Sequence, residues 1–310
     1  MGSPVIAGVD GGGTRSTLVL ADADGELARL AGPAGLVDPR HPEASAEMIV
    51  NLLRIGMAQA GVTDPPAALC AGLAGVGNEA ERRAVEQALE AAGVAERVRV
   101  ASDGNVALEG AFGGGPGILL VAGTGSVAYG RAEDGRIERC GGWGMIVGDE
   151  GSGYAIGRAG LEAALRSVDG REEETVLLPM LMERLGVSTP RGIPPWAGRV
   201  GKKEIAGLAR HVIAAAAEGD RVALRCVETQ ARELAMHVVA LAGRLGPWTG
   251  EVPVVFHGGV LRAELYALLV QSALGNAVTR FRVQPAQADA VTGALSYARA
   301  LLAREPAATV

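Results

Sequence analysis

The chain is short of aromatic residues. Phe, Trp and Tyr make up only 3% of its 310 residues, so its cores must be packed mainly from Ala, Val, Leu and Ile. Cysteine is scarce too: Cys70, Cys140 and Cys226 form no C-x-x-C pair. That count argues against a disulfide framework or a structural zinc site, and a reducing, cytoplasmic compartment is expected. No run of Lys and Arg resembles a nucleic-acid footprint, and the formal net charge is −6, so no nucleic-acid partner is expected. No segment approaches the ~20 uninterrupted apolar residues of a membrane span. The start, MGSPVIAGVD, lacks the basic and apolar regions of a signal peptide. The phosphate loop G-x-x-x-x-G-K-[ST] is also missing.

What the chain has in plenty is glycine, 46 residues, and the glycines mark a plan that occurs twice. Val5–Val9 reads as a buried strand, followed by the turn Asp10-Gly11-Gly12-Gly13-Thr14, a strand at Thr17–Ala21, a hairpin at Asp24-Gly25 and a strand at Glu26–Leu30. Ile118–Ala122 begins the same series again: the turn Gly123-Thr124-Gly125-Ser126, a strand at Val127–Arg131, a hairpin at Asp134-Gly135 and a strand at Ile137–Cys140. Thr14 and Thr124, Ser16 and Ser126, and Gly25 and Gly135 are each 110 positions apart. By this spacing Asp10 corresponds to Leu120. Each half continues with helix, strand, helix, strand and a closing helix. Helices are expected at Ala44–Gln59, Glu79–Ala92 and Asn105–Ala111, then at Tyr154–Arg166, Glu172–Arg184, Lys202–Ala217, Arg221–Arg244, Arg262–Ala273 and Asp289–Ala303. Strands are expected at Ala67–Leu73, Arg97–Ala101, Val252–Phe256 and Thr279–Val283. The expectation is an α/β protein of two βββαβαβα lobes with a cleft between them: residues 1–112 plus 293–310, and residues 113–292.

A sharp glycine turn exposes backbone N–H groups, and a threonine hydroxyl adds a donor, which suits phosphate. Gly123-x-Gly125-x-x-Ala128 matches the loose dinucleotide pattern, but that site needs a helix directly after its glycines, and a strand is expected here. Only the first turn carries a carboxylate, Asp10, and a carboxylate beside phosphates calls for a cation such as Mg²⁺. Asp103 follows a buried strand and opens a helix, so it is either a helix N-cap or a base for a substrate hydroxyl. The stretch Gly141-Gly142-Trp143-Gly144 to Gly148-Asp149-Glu150-Gly151-Ser152-Gly153 suggests close approach to a ligand. Asp149 and Glu150 are candidates for binding sugar hydroxyls or for capping the next helix. His257-Gly258-Gly259 would let a flat ring lie on the backbone.

In combination and in order, Gly8–Thr14, Ser102-Asp103, Gly123–Ser126, Cys140–Gly144, Gly148–Ser152 and Gly258-Gly259 resemble the actin-like ATPase superfamily, over nearly the whole chain. Within it they resemble the N-acetylglucosamine kinase group that shares a family with the BadF/BadG/BcrA/BcrD ATPases. The resemblance implies a duplicated, ribonuclease H-like fold and an ATP-dependent transfer to the 6-hydroxyl of an amino sugar, N-acetylglucosamine or glucosamine. It implies that Gly12, Gly13, Thr14, Gly123, Thr124, Gly125, Gly258 and Gly259 hold ATP, with Ala215 in the helix covering the base. Asp10 would stand near Mg²⁺, and Asp103 would take the hydroxyl proton. Asp103, Ser126, Gly142, Trp143, Gly144 and Asp149 would line the sugar. A homodimer is common in such a family. The loop Gly32–Asp38 has no Asn where the family usually has one, and Ala74 stands where animal members often have Ser, which leaves the sugar open. Two other readings are an activator ATPase of the BadF type and a non-catalytic sugar sensor.

Overall fold

The computed structural model describes residues 3–13, 15–38, 41–76 and 78–303. The chain divides into two compact units, one reaching to Gly115 and resuming at Ala286, the other Pro116–Pro285.

The first unit opens with β1 (Ile6–Gly11), β2 (Ser16–Ala21) and β3 (Glu26–Gly32), followed by α1 (Pro42–Ala60), β4 (Ala68–Leu73), α2 (Glu79–Ala91), β5 (Val98–Ser102) and α3 (Asp103–Phe112). The strands order as β3-β2-β1-β4-β5, antiparallel from β1 outward through β2 and β3 and parallel from β1 through β4 to β5. β1 and β4 are buried almost throughout, as central strands covered on both faces must be. On one face α1 lays Ile49, Leu52 and Leu53 against Leu18, Leu20 and Leu69. Burying each such side chain contributes about 1.5–3 kcal/mol. α2 begins with a complete capping box between Asn78 and Glu81.

The second unit repeats the scheme with β6 (Gly117–Ala122), β7 (Ser126–Arg131) and β8 (Ile137–Gly141), then inserts helices α4 (Gly153–Val168), α5 (Leu177–Leu185), α6 (Ile193–Ala197), α7 (Lys202–Ala206), α8 (Ala209–Ala217) and α9 (Arg221–Leu245). β9 (Val252–His257), α10 (Glu264–Gly275) and β10 (Phe281–Val283) complete it. Its sheet, β10-β9-β6-β7-β8, has the same connectivity as the first. The 25-residue α9 buries Leu234, Val238, Leu241 and Leu245, a stripe at helical spacing.

The last helix, α11 (Ala290–Ala303), returns to the first unit. Its face of Val291, Ala294, Leu295 and Ala298 packs on Ile6, Cys70 and Val106. Two glycines let it cross α3 backbone to backbone. A Cβ on Gly293 would stand 2.0 Å from the Val106 carbonyl, and one on Gly110 would stand 2.2 Å from the Asp289 carbonyl.

Three expectations need correction. The helix expected from Glu172 starts at Leu177, because Asp220 accepts the Thr175 hydroxyl and the Val176 N–H and Arg225 holds Glu172. The helix expected over Lys202–Ala217 is two, broken at Gly207-Leu208. The duplication is also not uniformly 110 residues. Gly11 pairs with Ser16, whereas Ala122 pairs with Ser126. The first turn is therefore one residue longer, and the partner of Asp10 across the duplication is Val121, not Leu120. The two strands share one burial pattern along their lengths, with Asp10 and Val121 at the same half-buried step.

Candidate functional site

In the first unit, β1 and β4 run parallel and end together, with Asp10 beside Gly72. Gly12 and Gly13 follow directly; Thr14 lies outside the described residues. The loop after β3 folds back onto this turn. The Gly35 N–H donates to the Gly12 carbonyl at 3.0 Å, Ala74 N–H to Gly11 at 2.8 Å, and Val37 N–H to Ala74 at 2.9 Å. A Cβ on Gly35 would lie 2.5 Å from the Gly11 Cα. The loop Gly32–Asp38 and Ala74, which the sequence left as the open question about the sugar, are thus brought against the first turn.

Asp103 is the first residue of α3. The N-cap is Ser102, whose hydroxyl accepts the Asn105 N–H at 3.1 Å. Of the two roles open to Asp103, the cap is therefore already filled. The Asp103 carboxylate accepts the neighbouring Gly104 N–H at 2.8 Å, with its own backbone N–H also acting on it. Burial raises its pKa against the pull of those backbone donors. Asp10 is pushed up to about 6, first by burial and then by the like charges of Asp103 and Asp289, with Arg15 drawing it down. Asp289 was not anticipated from the sequence. It caps α11, accepting the Thr292 N–H at 3.0 Å and its hydroxyl at 2.6 Å, and it pairs with Arg29 at 3.0 Å. Burial pushes its pKa up, but the hydrogen bonds from Thr292 and Arg29 outweigh that and hold it low. The Asp-x-x-Thr spacing before an apolar run was the available signal for a cap; the approach to Asp10 was not visible, because it depends on α11 returning.

In the second unit, Gly123 closes the turn on itself, its N–H donating to the Gly125 carbonyl at 2.9 Å. Thr124 is exposed at the apex. Gly258 lies alongside, with φ +103° and so close to β6 that a Cβ would be 2.3 Å from the Ala122 carbonyl. Gly123, Thr124, Gly125, Gly258 and Gly259 are therefore gathered at the adjoining ends of parallel strands β6 and β9. Ala215 is buried on the core face of α8.

Ser126 and Asp149, expected among the sugar contacts, face inward. The Ser126 hydroxyl donates to the Glu150 carbonyl at 2.6 Å, and its N–H donates to Asp149 Oδ1 at 3.2 Å. Asp149 is 3% exposed. It is also the one non-glycine residue with a left-handed backbone among the described residues, at φ 61°. Its Oδ2 meets Lys202 Nζ at 2.5 Å, a partner the sequence reading missed. Neither Asp149 nor Glu150 caps α4; Ser152 does. Gly142 and Gly144 have positive φ and flank Trp143, which is 67% exposed with Arg139 over its ring. This part of the expected sugar loop is open to solvent.

The model of the BadF/BadG/BcrA/BcrD ATPase family matches residues 7–298. An N-acetylmuramic acid/N-acetylglucosamine kinase of Clostridium acetobutylicum is 33% identical over 261 residues, 83% of this chain and 85% of that protein. An N-acetyl-D-glucosamine kinase of Dictyostelium discoideum is 30% identical over 208 residues, 64% of this chain and 65% of that one. The solved structure of a proposed N-acetylglucosamine kinase from Chromobacterium violaceum is 30% identical, with a TM-score of 0.75 over 94% of this chain and 98% of that one.

Proposed function

The chain belongs to the BadF/BadG/BcrA/BcrD ATPase family, and from that premise we propose that it is an ATP-dependent kinase for the 6-hydroxyl of an N-acetylated hexosamine. The observation that carries this reading is Asp103. It opens a helix whose cap is supplied by Ser102, and burial raises its carboxyl towards the range where a base serves best. Its relatives phosphorylating N-acetylglucosamine and N-acetylmuramic acid support the sugar class.

In this reading Asp103 accepts the proton of the sugar hydroxyl as the oxygen attacks the terminal phosphorus. The turn Gly123–Gly125 holds phosphate through its N–H groups and the Thr124 hydroxyl, with Thr14 doing the same at the first turn. Gly258 and Gly259 carry the adenosine. Trp143 and its flanking glycines offer the sugar a flat apolar face, while Ser126 and Asp149 act from behind by fixing that loop to the second turn. The carboxylates around Asp10 fit a divalent cation, since Asp10 faces the like charges of Asp103 and Asp289, with Arg15 acting on Asp10 and Arg29 on Asp289. Mg²⁺ keeps several waters and binds substrate phosphates, so one or two such carboxylates would suffice to hold it. When bound, Mg²⁺ would neutralise charge on the ATP phosphates.

The test is ATP consumption over a panel of N-acetylglucosamine, N-acetylmuramic acid, glucosamine, N-acetylmannosamine and glucose. Turnover with the N-acetylated sugars supports the reading. Turnover with none of the five removes it.

A further inference from the structure

Lys202 and Lys203 are the only lysines in the chain; every other member of its 29 Lys and Arg residues is arginine. One of the two stands over the second glycine turn. A Cβ placed on Gly125 would lie 2.8 Å from Lys202 Nζ and 2.5 Å from Asp149 Oδ1. The ammonium and the buried carboxylate therefore both stand against Gly125. Its side chain keeps 31% of its surface, whereas that of Asp149 keeps 4%.

The fold holds Lys202 there deliberately. α7 is pressed onto the glycine face of α4: a Cβ on Gly157 would strike the Ile205 carbonyl at 2.1 Å, and one on Gly153 would come within 3.2 Å of the Ala206 carbonyl. Glu204, the nearest acid in sequence, is occupied by the Gly201 N–H at 3.0 Å. Asp149 is held from its other side by the Ser126 N–H. A lysine suits the place where arginine would not. Its charge is compact and has three donors, whereas a planar guanidinium spreads over a wider fork. The contact with Asp149 Oδ2 is one of charge, and that oxygen has no hydrogen-bond partner, so the ammonium's donors are left for a ligand on the turn.

We propose that Lys202 contacts the phosphates of a nucleotide held at the second turn, and that Asp149 is the positioning residue that keeps its ammonium over Gly125. This rests on reading that turn as the nucleotide turn. It adds to that turn a cation, which a phosphate chain needs and which the backbone donors of Gly123–Gly125 cannot supply.

The two-lysine composition makes a direct test possible on the unaltered protein. Acylation with a small N-hydroxysuccinimide ester, read by peptide mass spectrometry, reports Lys202 and Lys203 side by side. ADP and ATP are expected to protect Lys202 at least fivefold and to leave Lys203 unprotected, with AMP protecting neither. Equal labelling of Lys202 with and without ATP overturns the proposal. Calorimetry without sugar supplies the second arm. Lys202→Met is expected to weaken ADP about tenfold or more while AMP binding is kept, and Lys203→Ala is expected to bind all three as the unaltered protein does. Equal losses for AMP and ADP in Lys202→Met would mean a role in folding only, and would also overturn it. Neither arm involves sugar, so failure of the kinase reading on the sugar panel leaves these results to be judged separately.

Discussion

In the first unit the strand leading to the turn ends Val9-Asp10-Gly11; in the second it ends Leu120-Val121-Ala122. The strands have the same burial pattern and the same place in the sheet, yet the charged groups around them differ. Around Asp10 the structure gathers Asp103 and Asp289. Around the second turn it places Lys202 paired with the buried Asp149. A duplicated fold has thus kept its backbone and divided its electrostatics: carboxylates gather near one turn, and a lysine–aspartate pair stands at the other.

The largest expected effect tests the acidic side. Asp103→Asn keeps the shape and removes the base, so turnover should fall about 10²–10⁴-fold with ATP and sugar still bound. Near-normal turnover, measured by steady-state kinetics, would mean that the acidic turn is not where the proton goes. Next in size is Gly72→Ala. Its Cβ would come within 2.2 Å of Val106 on α3, and overpacking of this kind costs about 1–3 kcal/mol. The matching place beside Val121 is occupied by His257, so the restriction should belong to the first unit alone. Chemical denaturation measures it, and an unchanged midpoint would remove the distinction.

Smaller again is a paired substitution. Gly125→Ala should weaken ATP about tenfold, roughly 1.4 kcal/mol, by pushing Asp149 and Lys202 apart. Gly13→Ala meets no atom within 4 Å and has no positive φ, so it should leave the thermal midpoint of the ligand-free protein where it is. Equal midpoint shifts for both would make the two turns alike after all. The smallest effect concerns pH. The folded Asp10 carboxyl titrates at about 6 against an ordinary 3.8, so its neutral form favours folding below pH 3.8 and that contribution is lost as pH rises through 6. Asp10→Asn should therefore stabilise the ligand-free protein at pH 7, with the difference vanishing near pH 4. Thermal melts at both pH values would show it. A destabilised Asp10→Asn at pH 7 would mean that the charge is already compensated without metal.

Much of this was legible in the residues. The runs Val5–Val9 and Ile118–Ala122 are apolar and bounded by glycine, and Asp24-Gly25 and Asp134-Gly135 are strong hairpin signals, so the paired sheets followed from local chemistry. What was hidden depends on distance along the chain. Matching Thr14 to Thr124 conceals that one turn has a residue more, and only strand pairing reveals it. Lys202 reaches Asp149 because α7 packs on α4, a contact that glycines permit but do not announce. The start of α5 moved because Asp220, 44 residues away, captured the Val176 N–H.

The return of α11 has a consequence during synthesis. A ribosome that has made β1 to α3 has not yet made the helix that covers Gly8 and Val106, and the whole of Pro116–Pro285 must come first. The second unit can close as soon as it emerges, while the first waits with one face of its sheet covered by α3 alone. The earlier half of this chain is therefore the later to mature, and the interval is when it is most exposed to aggregation or to a chaperone.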